Sequence, residues 1–351
     1  YIDLGVGDEE LIRISREGVL ALSLNEMKAI RDHFRQAGRQ PTDAELETLA
    51  QTWSEHCKHK IFNGEVEYTD EHGTRIIDSL FQTYIRYPTE EIRRRLGRED
   101  WLVSVFSDNA GVVRLDEDYN LVFKVETHNS PSALDPYGGA ITGIVGVNRD
   151  PMGTGLGSRL IFNTDVFCFA DPNYRGNLPS RLKHPKRVFE GVRHGVEHGG
   201  NKSGIPTING TVRFDSYPFS SLAENGVMVS YMGKPLVFCG TGGIAEAYVN
   251  GKTSHEKMAN ASDAMVVVGG RTGADGIHGA TFSSESLNEN SPATAVQIGD
   301  PITQKKMADM LTEARNLGLY NSITDNGAGG LSCSVGEMAK ESGGAELHLE
   351  K

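Results

Sequence analysis

The chain has 351 residues, 38% of them hydrophobic, and a formal net charge of −12. That length suffices for two domains with a substantial core, and the acidic balance argues against a nucleic-acid surface, which needs clustered lysine and arginine. No window approaches the roughly eighteen apolar residues of a membrane span, the start Tyr-Ile-Asp-Leu-Gly is neither signal nor transit peptide, and Cys57, Cys168, Cys239 and Cys333 lie too far apart to suggest a zinc site or disulfide framework.

The expected compartment is therefore the cytoplasm. Small anionic ligands stay compatible with the charge, provided local cations or a metal ion offset it. The chain opens without methionine and stops inside an alternating, strand-like run from Gly343 to Lys351, so a fragment of something longer is expected.

Residues 1–60 read as helical. Ser23 is placed to cap a helix carrying Leu24, Met27, Ile30 and Phe34, and Thr42-Asp43-Ala44-Glu45 is a capping box opening a second helix with Leu46, Leu49 and Trp53 on one stripe. That helix should deliver Glu55-His56-Cys57-Lys58-His59-Lys60 at its C-terminal end. Cations suit the dipole there, yet two histidines among lysines exceed what a helix end requires. Residues 76–97 form an amphipathic stretch broken at Pro88, and residues 111–126 a hairpin turning near Asp116–Asp118.

The second strand of that hairpin leads into Lys124-Val125-Glu126-Thr127-His128-Asn129-Ser130-Pro131. Side chains of a strand alternate between faces, so Leu121, Phe123 and Val125 share one face while Lys124 and Glu126, continued by His128, share the other. Buried charges are costly unless paired or bound, which predicts that this face opens on a polar cleft. The alternative is an edge strand with a solvated charged face.

Next come a glycine-rich helix through Gly138-Gly139-Ala140-Ile141-Thr142-Gly143-Ile144, ending at Arg149-Asp150, then strands at 158–170, 210–215 and 226–248 and a helix near 186–197. Strands and helices without strict alternation indicate an α+β layer. The polar segment from Asn250 to Ser262 reads as a linker. Beyond it, Ala264–Val268 is expected as a buried strand, 302–317 as a helix with Met307, Met310, Leu311, Ala314 and Leu317 inward, Ser322–Asp325 as a strand end, and Leu331–Lys340 as a helix opened by a glycine loop.

No Gly-x-Gly-x-x-Gly follows a strand and no Walker loop occurs, so neither a Rossmann nor a P-loop site is expected. Lys124, Glu126, Asp150, Asp325 and amide-rich loops instead match the needs of a magnesium-bound polyphosphate: hard oxygens for the metal, a lysine and backbone amides for phosphate.

Trp53-Ser54-Glu55-His56-Cys57-Lys58-His59-Lys60 and Phe123-Lys124-Val125-Glu126-Thr127-His128-Asn129 resemble the phosphoribosylformylglycinamidine synthase family. The likeness continues in order through Arg149-Asp150, Gly204-Ile205-Pro206-Thr207, Gly273 to Ala280, Val296 to Pro301 and Asp325 to Leu331. The resemblance implies an aminoimidazole ribonucleotide synthetase-like architecture: a helical linker (1–60), an N-terminal α+β domain (61–248) whose sheet forms a barrel with a sister domain, and a second α/β domain (249–351).

It implies ATP-dependent conversion of formylglycinamide ribonucleotide to formylglycinamidine ribonucleotide through an iminophosphate. ATP and Mg2+ are then the cofactors, and ammonia from a glutaminase domain or subunit and the remaining synthetase domains are the partners. By the same resemblance His56 and His128 are catalytic, His128 as proton acceptor; His59 and Lys124 contact ATP; Glu126, Asp150 and Asp325 hold the metal; and Thr127, Asn129, Ser130, Arg149 and Gln297 contact substrate. Ser130 departs from the family pattern, in which many members carry a histidine. Rival readings are another ATP-using enzyme of the same superfamily, or a catalytically silent structural module.

Overall fold

A computed structural model describes residues 1–178, 182–215, 218–219, 229–230, 233–273, 276–283, 287, 291 and 296–348. The helices are α1 (Asp8–Glu17), α2 (Leu24–Gln36), α3 (Asp43–Thr52), α4 (Glu55–Lys58), α5 (Lys60–Asn63), α6 (Tyr87–Leu96), α7 (Asn129–Leu134), α8 (Pro136–Met152), α9 (Pro185–Ser203), α10 (Gly279–Phe282), α11 (Pro301–Asn316) and α12 (Gly330–Ser342). The strands are β1 (Val66–Asp70), β2 (Gly73–Ile77), β3 (Leu102–Ser104), β4 (Gly111–Arg114), β5 (Tyr119–Thr127), β6 (Arg159–Phe169), β7 (Thr207–Phe214), β8 (Pro218–Phe219), β9 (Val229–Ser230), β10 (Leu236–Glu246), β11 (Tyr248–Val249) and β12 (Lys252–Thr253). They divide into two compact units: Tyr1–Leu102 with Ile277–Ser286 and Ala328–Ser332, and Val103–Gly276 with Leu287–Gly327 and Cys333–Lys351.

In the first unit, α2 and α3 both start at the expected capping boxes, Ser23 with Glu26 and Thr42 with Glu45. Leu11, Met27, Ile30, Phe34, Leu46 and Ala50 form its buried core, each large side chain contributing about 2 kcal/mol of burial. The His56 segment does not extend α3. That helix stops at Thr52, Ser54 caps α4 by accepting from the Cys57 amide, and His59 at φ 54° breaks α4 from α5. Pro88 does not interrupt its helix either: it lies in the first turn of α6, where a missing N–H is tolerated, directly after a π-helical turn at Gln82–Arg86.

The second unit is built on a six-stranded sheet of order β3-β4-β5-β10-β6-β7. β4–β5, β5–β10 and β10–β6 are antiparallel and β6–β7 is parallel, and α8 packs on β5, β10 and β6. The strand carrying Lys124 is thus interior, which removes the edge-strand alternative. The strand expected at 226–248 is β10; residues 226–228 and 231–232 lie outside the described residues.

Four expectations for the later chain are corrected. Residues 264–268 are not a buried strand: Met265, Val266 and Val267 are 40, 77 and 60% exposed, and an apolar run without a ladder partner cannot satisfy its own backbone groups. Residues 322–325 are likewise unpaired coil, as are 344–348. The helix over 301–316 is present but turned. Its buried residues include Gln304 and Arg315, while Met310 and Leu317 are 43 and 73% exposed. Polar anchors set this rotation, Gln304 Nε2 donating to the Val145 carbonyl at 2.7 Å and Arg315 to the Gly157 carbonyl at 3.0 Å.

Candidate active site

On β5 the charged row, not the apolar one, faces the covered side of the sheet. Asn120 and Val122 are buried and Lys124, Glu126 and His128 half-buried, whereas Phe123 and Val125 on the opposite face are each 39% exposed. The cross-strand register continues this polar row: Lys124 pairs with Thr241 and Glu126 with Cys239 on β10, which pair with Asn163 and Asp165 on β6. Small residues let α8 lie close above it. A β-carbon at Gly143 would stand 3.2 Å from His128 Cβ and 3.3 Å from Cys239 Sγ.

Lys124 Nζ lies 3.0 Å from Glu126 Oε1 and 3.5 Å from Asp150 Oδ2, and donates to the Asn109 carbonyl at 2.8 Å. Burial pulls the Lys124 ammonium down, but the Asp150 and Glu126 carboxylates more than reverse this and hold its pKa above the ordinary lysine value. Asp150, on α8, is pushed up to about 7, first by burial and then by the negative charges of Asp325 and Glu126, against the pull of Lys124 and Arg149. The three carboxylates, far apart in sequence, therefore share one electrostatic neighbourhood.

Arg149 Nε stands 3.6 Å from Asp325 Oδ2, an ion pair too long for a hydrogen bond, and this buried nitrogen has no hydrogen-bond partner. Asn109, which the sequence did not single out, ties the cluster together. Its Nδ2 donates to Asp325 Oδ1 at 3.2 Å and Thr324 Oγ1 at 3.3 Å, while its carbonyl accepts from Lys124.

His128 follows β5 with its backbone N–H bonded to the Val237 carbonyl at 2.8 Å, and its Nδ1 meets the Gly139 carbonyl. A carbonyl only accepts, so Nδ1 carries the hydrogen in the neutral ring and Nε2 carries the lone pair. Asn129 Oδ1 accepts from the Val237 amide at 2.8 Å, a contact that fixes the strand end, and Ser130 is 3% exposed.

Two expected substrate contacts have exposed side chains. Thr127 points to the other face of β5 and is exposed; the Gln297 side chain is exposed while its carbonyl accepts from Thr142 Oγ1 at 2.6 Å. In the first unit His56 and His59 are exposed, and His56 Nδ1 lies 3.1 Å from Ser283 Oγ. Among the described residues, no three His, Cys, Asp or Glu side chains stand close enough to share a metal ion.

The donor set still suits a hard cation. Asp150 is strained by two like charges that a cation would relieve, and all three side chains offer carboxylate oxygens.

Three family models match the chain in order. They are the formylglycinamide ribonucleotide amidotransferase linker domain over residues 11–60, and the N-terminal and C-terminal domains of AIR synthase related proteins over 107–235 and 260–351. The chain is 36% identical to the phosphoribosylformylglycinamidine synthase subunit PurL of Thermoplasma volcanium, over 98% of this chain and 40% of that protein. For the same subunit of Thermoplasma acidophilum the identity is 35%, with the same 98% and 40% coverage. The chain thus spans about 40% of the length of these curated relatives.

Among solved structures it is similar to T. maritima PurL complexed with FGAR, at 28% identity and a TM-score of 0.59 over 90% of this chain and 42% of that one. It is also similar to T. maritima PurL complexed with ATP, at 27% identity and a TM-score of 0.55 over 90% and 40%.

Proposed function

Because the chain belongs to the phosphoribosylformylglycinamidine synthase family, we propose that it supplies the catalytic face of an ATP-dependent amidation of formylglycinamide ribonucleotide. The observation that carries this reading is the electrostatic neighbourhood that Asp150 shares with Glu126 and Asp325, with Lys124 beside the first two carboxylates and Arg149 beside the third. Relatives solved with FGAR and with ATP support both substrates.

In the proposed reaction the amide oxygen of the substrate attacks the γ-phosphorus of ATP, a new O–P bond forms, and ADP leaves. Ammonia then adds to the activated carbon, and the C–O bond breaks to release phosphate. His128 Nε2 takes the proton lost by the incoming nitrogen, since Nδ1 is committed to Gly139. Lys124 neutralises transferring phosphate oxygens, and Arg149, whose buried Nε has no hydrogen bond, offers a planar fork to an anionic group of the substrate.

Glu126, Asp150 and Asp325 would hold magnesium, which when bound neutralises polyphosphate charge. His56 and His59 of the first unit are assigned to catalysis and nucleotide contact, and Thr127, Asn129, Ser130 and Gln297 to substrate, on the family pattern alone.

The exposed Phe123–Val125 face supports a further part of the reading, an apolar sheet surface that a sister domain can close into a barrel. The ammonia source and the remaining synthetase domains belong to the whole enzyme. The test is ADP release that requires both formylglycinamide ribonucleotide and ammonia, measured with this chain joined to those domains. ADP release indifferent to either substrate would defeat the assignment.

Asp325→Asn is expected to weaken magnesium-dependent ATP binding on the order of tenfold to a hundredfold while the protein stays folded. Calorimetry at matched magnesium reads this, and unchanged affinity would remove Asp325 from the metal set.

A further inference from the structure

Lys257 lies in the polar segment 250–262, which the sequence reading treats as a linker. In the fold its side chain is 14% exposed, and its ammonium donates to Asp108 Oδ1 at 2.7 Å, to the Gly153 carbonyl at 2.9 Å and to the Ile323 carbonyl at 2.9 Å. Three donors meet three acceptors, the full complement of a lysine head group. Asp108, 9% exposed, uses its other oxygen to accept from the Gly155 amide at 2.8 Å.

Each partner borders a site residue. Asp108 precedes Asn109, whose carbonyl takes Lys124 and whose amide takes Asp325. Gly153 follows the end of α8, which carries Arg149 and Asp150, and Ile323 stands two residues before Asp325. None of the three partners belongs to a helix or strand, so no backbone ladder holds these segments in register. A buried ion pair is a poor source of stability, because desolvating two charges offsets much of their attraction. Its geometry here accounts better for alignment than for folding energy.

We infer that Lys257 is a positioning residue, clamping the loop before β4, the end of α8 and the 323–325 segment so that Asp325 is held beside Arg149 and Asp150 beside Lys124. The inference rests on the reading of those carboxylates as the magnesium–nucleotide site. Because Lys257→Met alone strands a buried Asp108 and risks unfolding, the decisive protein is the double variant Asp108→Asn/Lys257→Met. That variant removes both charges and keeps an acceptor for the Gly155 amide.

Calorimetric titration of ATP with and without magnesium, alongside a thermal melt, gives three quantities: the nucleotide affinity, its gain from magnesium, and stability. The expected result is a folded variant in which the gain from magnesium falls by about tenfold or more, with faster amide exchange at residues 323–326. A folded variant with the parent's gain from magnesium overturns the inference alone. Equal loss of binding with and without magnesium also overturns it, since a merely structural role would act on both. A parent that gains nothing from magnesium removes the carboxylate reading and this inference with it.

Discussion

Asp165→Asn should make the protein more stable at pH 8 by ~4 kcal/mol and leave its stability near pH 4 almost unchanged. Asp165 is 2% exposed in the middle of β6, with Oδ1 lacking any hydrogen-bond partner and Oδ2 at 3.4 Å from Thr207 Oγ1. Burial pushes its carboxyl up to about 7 from the ordinary 3.8, against the opposing hydrogen bonds of Thr207 and Cys239.

The raised value means that the folded state holds a proton the unfolded chain has lost. Between about pH 4 and 7 the folded protein therefore binds more protons than the unfolded one, and stability falls as pH rises through that window. Above it, the fold carries a buried, uncompensated carboxylate. An asparagine keeps the shape and never ionises, so its advantage should appear as pH rises past 4 and level off above 7. Urea unfolding of both proteins across pH 5 to 8 reads the difference directly. Parallel stability profiles would mean that Asp165 is ionised and satisfied in the fold.

Asp165 also marks where sequence reading stops. In β6 the alternating Asn163 and Asp165 look like the solvated face of a strand, yet they are 0 and 2% exposed beneath α8 and α9. Periodicity assigns residues to faces but does not say which face is covered. The same limit applies to β5, where alternation separates the charged row from the phenylalanine row but does not say that the charged row is the covered one.

Local signals were legible wherever the cause is local. Ser23 and Thr42 cap the helices their spacing predicts, the 111–126 hairpin forms with its turn at 115–118, and the 138–144 glycine run is helical. Signals that depend on a distant partner were not legible. Ala264–Val268 has the composition of a strand without a strand beside it, and Lys257 in a polar segment has nothing to distinguish it from a solvated lysine until Gly153 and Ile323 are brought to it. The three carboxylates were grouped by their hard-oxygen chemistry and then by a family resemblance; nothing in their spacing joins 126 to 150 and 325.

Gly139→Ala is the substitution in which the fold and the site should fail together. A β-carbon at 139 would lie 2.4 Å from Ser132 N, 2.5 Å from Pro131 C and 2.6 Å from Ser132 Cα. All three are backbone atoms of α7, so no side chain can swing aside and α7 must move off α8. Overpacking of this kind costs ~3 kcal/mol. The displacement does not stay local, because the Gly139 carbonyl is the acceptor that fixes the His128 ring through Nδ1.

Moving that carbonyl frees the tautomer that leaves Nε2 as the basic atom. The expected result is a lower urea midpoint together with changed chemical shifts and a changed titration of the His128 imidazole, followed by nuclear magnetic resonance of ring-labelled histidine. Gly146→Ala, whose β-carbon would meet no atom nearer than Arg149 Nη2 at 3.7 Å, is the control on the same helix. If Gly139→Ala matched that control in both stability and His128 titration, the close approach of α7 and α8 would not be what holds the imidazole.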